Sequence, residues 1–265
     1  MKIVLVACVA ALVAACEAGA ADLPVKAPPL APVDFGWTGF YLGANVGYGW
    51  GRVGGDLVGN STGLDIPLAI AGGTIPSSYG LRDQGVIGGG QIGYNWQLRN
   101  WVWGLETDFQ GAGLTGSVAF AHAASVVPAL KATQSAGSAS LDWFGTARAR
   151  AGYSWNRVLL YVTGGAAYGQ VEESIANQTV PPPPMGSFAS TSVRLGWTVG
   201  AGAEWAFANG WSAKAEYLHV DLGSSTGMTH PGPVDFLEYN FRHEYEIARI
   251  GINYRFGVGP IVARY

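Results

Sequence analysis

The sequence predicts an all-β fold: an eight-stranded antiparallel transmembrane up-and-down β-barrel with short periplasmic turns and four long extracellular loops. Three observations predict it. Charged residues make up only 12% of the 265-residue chain, about half the roughly 25% usual for globular domains. Apolar side chains recur with period two, the mark of a half-exposed strand, in eight separate segments. The connections between those segments alternate between tight and long, the asymmetry of outer-membrane barrels.

The N-terminus reads as an export signal over residues 1–20. Met1-Lys2 gives a positive start, Ile3 to Ala15 is an apolar run, and Ala18-Gly19-Ala20 is a small-residue cleavage site, with cleavage after Ala20 or Ala21. The run is too short to span a membrane as a helix, which needs about 20 apolar residues. Cys8 and Cys16 both lie within the export signal, so the mature chain is expected to hold no disulfide. Val13-Ala14-Ala15-Cys16 also resembles a lipoprotein processing site, which leaves lipidation of Cys16 open. Residues 21–36 form a proline-rich periplasmic arm carrying Pro24, Pro28, Pro29 and Pro32. The barrel occupies 37–256, and 257–265 is a C-terminal tail.

The strands follow in order. Phe40 to Trp50 sets Phe40, Leu42, Ala44, Val46, Tyr48 and Trp50 on one face, with mostly small or polar residues on the other. Val86 to Leu98 opposes Ile92, Tyr94, Trp96 and Leu98 to Gln91, Asn95 and Gln97. Trp101 to Phe109 opposes Trp101, Trp103, Leu105 and Phe109 to Glu106 and Asp108. Leu141 to Trp155 opposes Trp143 and a run of alanines to Asp142, Arg148 and Arg150. Val158 to Gly169 turns Leu160, Val162, Ala166 and Tyr168 toward lipid. Val193 to Phe207 opposes its apolar row to Arg194, Thr198 and Glu204. Trp211 to Val220 sets Lys214 and Glu216 on the polar side, and Glu244 to Phe256 sets Arg249, Asn253 and Arg255 there. Each segment supplies the roughly 9–11 residues that a spanning strand needs.

Leu98-Arg99-Asn100, Asn156-Arg157 and Ala208-Asn209-Gly210 read as tight turns. The stretches near 51–85, 110–140, 170–192 and 221–243 read as long loops, Gly-rich and with a Pro181–Pro184 run. Amphipathic rings favour the headgroup level and predict two aromatic girdles. Trp96, Trp101, Trp103, Trp155, Trp205, Trp211 and Phe256 flank the short turns; Trp50, Phe109, Trp143, Tyr168 and Tyr217 sit near the loops.

Alternation alone does not say which face points inward, and a soluble barrel has the same period with an apolar interior. A soluble exterior, however, is about 25–35% charged, whereas the polar face here is mostly Gly, Ser, Thr and Asn with isolated ions. Those ions balance: Glu106, Asp108, Asp142, Glu204 and Glu216 against Arg148, Arg150, Arg194, Lys214, Arg249 and Arg255. An eight-stranded barrel has an interior just wide enough for side chains. The expectation is a bore plugged by ion pairs and hydrogen bonds.

Other chemistry is not indicated. The net charge of −3 comes with no basic stretch, which excludes nucleic-acid binding. Gly85 to Gly90 lacks the Gly-Lys-Ser/Thr ending of a phosphate loop. No two of His122, His219, His230 and His243 stand at metal-ligand spacing, so neither metal nor cofactor is expected. His219 and Asp221, with Ser224 and Ser225 nearby, would suit a lipid-modifying barrel enzyme only with an oriented base and nucleophile. No enzymatic activity is expected.

Several segments carry a resemblance: Ala21-Asp22-Leu23-Pro24; Trp37 to Gly43; Gly89-Gly90-Gln91-Ile92-Gly93-Tyr94-Asn95-Trp96; Ala215 to Gly223; and Asn253-Tyr254-Arg255-Phe256 with Gly259 to Tyr265. Together they resemble the small outer-membrane β-barrel proteins of α-proteobacteria, the porin family, similar to the OmpA transmembrane domain. The resemblance implies an eight-stranded barrel in the cell outer membrane with a role in envelope integrity and at the surface. A narrow diffusion channel for small solutes is the alternative. The partners implied are outer-membrane lipid and lipopolysaccharide, the export and barrel-assembly machinery, and an unnamed surface receptor. Phe256 and Tyr265 compete as the aromatic end of the assembly signal.

Overall fold

The computed structural model describes residues 35–60, 65–72, 77–122, 132–180, 184–229 and 236–257. The export signal, Cys16, most of the proline-rich arm, His230 and the end of the tail lie outside these. The strands are β1 (Gly39–Asn60), β2 (Ser78–Leu98), β3 (Trp101–His122), β4 (Ala132–Trp155), β5 (Val158–Val180), β6 (Pro184–Ala208), β7 (Trp211–Thr229) and β8 (Leu237–Arg255), with one helix, α1 (Asp65–Ala71), between β1 and β2. Neighbours in sequence pair in space, and β1 closes on β8, giving a closed antiparallel barrel of eight strands. Within the membrane band closure leaves no strand edge unpaired, which hydrocarbon demands; above it β2 and β3 part beyond Gln84/Thr115, and β6 and β7 part beyond Trp197/Asp221.

Three tight hairpins sit at one end. Arg99 and Asn156 take left-handed backbone angles (φ 57° and 56°), and Gly210 (φ 78°) turns the β6–β7 hairpin beside a register shift at Ala206/Ala208. Asn and Gly adopt this region at low cost, whereas Arg does so less readily.

Each strand carries an outward row that meets lipid. On β1 it runs Phe40, Leu42, Ala44, Val46, Tyr48, Trp50; on β8 it runs Tyr254, Ile252, Ile250, Ala248. No charged side chain interrupts either row. Ten residue steps from Phe40 to Trp50, at about 3.4 Å each and tilted by about 40°, span about 25 Å, the height of an outer-membrane apolar band. The two girdles stand at its margins. Near the turns, Trp101 stacks with Trp103 at 6.4 Å and Trp211 meets Tyr254 at 5.0 Å. At the other margin Phe109–Trp143 (5.5 Å), Trp143–Tyr168 (6.2 Å) and Trp50–Tyr217 (6.2 Å) form the second ring.

Beyond that second ring the structure corrects the sequence reading. Most of what reads as long loops is strand. β1 continues to Asn60 and β2 starts at Ser78; β4 starts at Ala132, β5 runs to Val180, and β8 starts at Leu237. The barrel wall therefore rises about 30 Å along the strands past the membrane, taking about nine residues at roughly 3.4 Å each. The reason is a reversal of polarity. Within the band β8 points Ala248, Ile250 and Ile252 outward and Arg249 and Asn253 inward. Above it, the outward residues are Glu238, Asn240, Arg242, Glu244 and Glu246, and the inward ones Leu237, Tyr239, Phe241 and Tyr245. The exterior there meets water, so the wall has the soluble-barrel arrangement. A search for a constant apolar face loses the strand where the sign changes.

These two zones price a surface charge differently. Val46, half exposed on the band, is expected to lose about 2–4 kcal/mol of stability on Val46→Arg, the depth-dependent cost of arginine near the midplane. Ser138→Arg on the exposed upper wall is expected to stay within about 0.5 kcal/mol. Urea unfolding from lipid vesicles reads both.

Candidate functional site

The bore is filled in layers, and the widest polar layer lies at mid-membrane. Cross-strand register brings it together: Glu106 lies opposite Arg148, Glu204 opposite Lys214, and Glu216 opposite Arg249. Directly opposed charges of opposite sign are the favourable pairing on a sheet face. Long side chains then reach across the bore. Glu106 pairs with Arg148, with Lys214 at 3.2 Å and with Arg150 and Arg249 at 3.7 Å. Asp108 pairs with Arg249 at 2.8 Å and Arg148 at 3.0 Å. Glu216 pairs with Arg249 at 2.5 Å, Arg148 at 3.2 Å and Lys214 at 3.8 Å. Glu204 takes Arg150 at 3.1 Å.

Four carboxylates thus face four cations, and all eight are buried. A buried ion left alone costs several kcal/mol, so a balanced and cross-linked set is the arrangement a dry bore tolerates. Arg150 is also held between two aromatic faces, 5.0 Å from the Tyr41 ring and 4.9 Å from the Tyr161 ring. Tyr41 donates to Glu106 at 2.7 Å and Tyr161 to Glu216 at 3.0 Å. Glycines make room for these rings. A Cβ at Gly93 would stand 2.3 Å from the Tyr41 hydroxyl, and one at Gly202 would stand 2.5 Å from that of Tyr161. A chain of amides completes the layer: Asn45 donates to Gln91 at 2.9 Å, Gln91 to Asn253 at 2.5 Å, and Asn253 to Glu204 at 2.8 Å.

Three of the expected charges lie elsewhere. Asp142 is exposed on the outer wall, because a register shift between Leu141 and Trp143 expels it from the inner row. There it accepts from Ser140 and Gln170 at 3.1 Å. Arg194 stands above the ionic layer and donates to the Ser224 carbonyl at 2.8 Å. Arg255 lies at the periplasmic end, where it donates to the Gly36 carbonyl and sits 4.4 Å from the Phe35 ring. Tyr41 and Tyr161 escaped the sequence reading, since an aromatic on the polar face broke the rule being applied. Their odd-numbered position among Gly, Asn and Thr was the available signal.

Apolar layers bracket the ions. Below lie Trp37, Val102, Leu159 and Ala206, with Phe35 against them. Above lie Ile87, Leu114, Phe144, Leu218, Tyr245 and their neighbours. Higher still, in the extramembrane wall, His243 and Ser225 both reach one oxygen of Glu173, at 2.5 and 2.6 Å. Burial pushes the Glu173 carboxyl up, but the hydrogen bonds from His243 and Ser225 and the charge of His243 outweigh it and hold the group below its ordinary value. Burial pushes the carboxyl of Asp83, also in this wall, up to about 7. Val53, Leu81, Leu237, Tyr239 and Phe241 belong to a final apolar layer. The Ser–His–Glu group lacks a relay order, because hydroxyl and imidazole share the same carboxylate oxygen. A nucleophile needs the base between hydroxyl and acid. His219 is on the outer wall with Nδ1 2.8 Å from Glu246, and Asp221 accepts from the Gly223 amide at 2.7 Å and from Arg242 at 3.2 Å.

A closed barrel with a charge-free lipid band, two aromatic girdles and a filled bore defines a small transmembrane barrel of the bacterial outer membrane. The chain belongs to the outer membrane protein beta-barrel domain family, whose profile matches residues 8–256. It is 38% identical to the 31 kDa outer-membrane immunogenic protein of Brucella melitensis, over 97% of this chain and 100% of that protein. It is 28% identical to the 22 kDa outer membrane protein of Rhizobium leguminosarum bv. viciae, over 71% of this chain and 65% of that one. Among solved structures, the outer membrane protein OprG of Pseudomonas aeruginosa is similar, at 11% identity over 83% of this chain and 97% of that chain, with a TM-score of 0.44.

Removing one member of the ionic layer strands the others. Glu106→Gln is expected to destabilise the folded barrel by about 3–5 kcal/mol, the cost of leaving buried charge uncompensated. Asp142→Asn, outside the layer, is expected to change stability by less than about 0.5 kcal/mol. Chemical denaturation in vesicles, monitored by tryptophan fluorescence, separates the two.

Proposed function

We propose that this outer-membrane protein is a sealed barrel with a structural role in the envelope, displaying a tall rigid wall at the cell surface rather than passing solutes through its bore. The succession of layers carries this reading: apolar, ionic, apolar, hydrogen-bonded and apolar again. A solute crossing the bore would have to break the ionic layer and also displace large side chains such as Phe144 and Tyr245, both fully buried. Side chains packed at interior density would leave no continuous water path, which is the condition this reading requires. The wall above the membrane supports a surface role, because it presents rigid sheet where a loop would be pliant. The Brucella relative is named an immunogenic protein, and a projecting wall is the part of such a barrel that an external molecule meets first.

The alternative of a narrow diffusion channel is tested by single-channel recording in planar bilayers with folded protein. The expected result is no steady conductance. Moreover, the quadruple variant Glu106→Ala/Arg148→Ala/Lys214→Ala/Glu216→Ala, if it folds, is expected to stay closed, because the apolar layers remain. Steady openings of the unmodified protein would overturn the sealed reading.

A further inference from the structure

The outer face of the β1–β2 pair changes character in even steps as it leaves the membrane. Register places its outward residues as opposed pairs: Tyr48 with Val86, Trp50 with Gln84, Arg52 with Arg82, Gly54 with Gly80, and Asp56 with Ser78. The first pair belongs to the lipid band and the second to the outer girdle. The third sets two arginines side by side, both exposed, one step above the girdle. Opposed residues of this kind have Cβ atoms about 4.5–5.5 Å apart, and like charges there are destabilising.

Glu244, across from Arg52 on β8, tempers that repulsion without forming an ion pair with either arginine. Among the described residues, neither Arg52 nor Arg82 has a carboxylate within ion-pair distance. The acid opposite Arg52 on β8 is Glu244, and Arg242 already holds it at 2.8 Å. Glu246, beside Trp50, is taken by His219 at 2.8 Å. At the next step above the arginines the wall carries no side chain, and a Cβ at Gly54 or at Gly80 would meet nothing within 4 Å. Two exposed arginines therefore stand side by side beneath two glycines at the upper edge of the membrane.

We propose that Arg52 and Arg82 clamp a phosphate group of the phosphorylated glycolipid in the outer leaflet. A guanidinium presents paired donors that match phosphate oxygens, and an anion between two of them turns their repulsion into attraction. The site's height selects the source. Headgroups lie at the level of the aromatic girdle, and Trp50, paired with Tyr217 at 6.2 Å, stands one step below the arginines to flank the acyl chains. The two glycines leave no side chain between the arginines and the Asp56–Ser78 pair above them. The inference depends on the membrane location and not on whether the bore conducts.

The test is native mass spectrometry of the detergent-purified, folded protein with lipid A added in bisphosphorylated or chemically dephosphorylated form. The probes also include inorganic phosphate alone. The expected result is at least tenfold greater retention of the bisphosphorylated form. The Arg52→Gln/Arg82→Gln variant should lose at least tenfold of that retention, and Arg242→Gln, whose guanidinium is already paired, should keep it. Both changes are on the exposed wall, and a boiled-against-unboiled gel shift verifies folding of each variant. Equal retention by the double variant, or equal retention of dephosphorylated lipid, would overturn the proposal. Inorganic phosphate bound as tightly as lipid A would overturn the assignment to a membrane glycolipid.

Discussion

The structure depends on one constraint: in hydrocarbon every backbone N–H and C=O must be paired within the protein. Eight strands meet it by closing β1 on β8. Closure at eight strands fixes a narrow bore, and a narrow bore must be filled. The lumen content is thus the consequence of strand number. Side chains long enough to cross the bore must come from several strands at one height, and Glu106, Arg148, Lys214 and Arg249 do so from β3, β4, β7 and β8. Glycines at Gly93 and Gly202 supply the volume into which Tyr41 and Tyr161 fold.

The same wall serves two solvents. Inside the membrane it is apolar outward and ionic inward; above the membrane the order is reversed. On β8 the change takes place between Glu246 and Ala248. The hydrophobic effect acts on both parts, but its direction depends on which face meets water. The upper part is packed like a soluble barrel, with Val53, Leu81 and Phe241 in its core, and continuous hydrogen-bonded strands hold it to the lower one. Where the two parts join, at the girdle, the outward rows of β1 and β2 pass from Trp50 to Arg52 and from Gln84 to Arg82. That junction is where the proposed phosphate clamp sits.

How much of this was legible in the sequence follows from that reversal. The eight spanning segments were visible because lipid imposes one polarity over ten residues, and eight of the eleven proposed bore charges fall in one connected cluster. The upper strands were illegible because their alternation has the opposite sign and glycines such as Gly54 and Gly80 dilute it. Asp142 was misplaced because a register shift of the Leu141/Trp143 type leaves no mark on residue type. Tyr41 and Tyr161 were missed because periodicity assigns a face, whereas only the three-dimensional bore shows that a face must be filled. The buried Glu173–His243–Ser225 group joins β5, β7 and β8 over separations of 52 and 70 residues, beyond the reach of any local pattern.

A closed bore requires that water does not reach the ionic layer. Lys214 lies within that layer, fully buried and 3.2 Å from Glu106, and the most direct test is its reactivity toward a small water-soluble amine reagent in the vesicle-reconstituted protein, read by peptide mass spectrometry. Lys214 is expected to stay unmodified while the barrel is folded and to become modified once it is unfolded. Modification of the folded protein at the unfolded rate would show that water reaches the layer, and would contradict the sealed bore on which the rest is built.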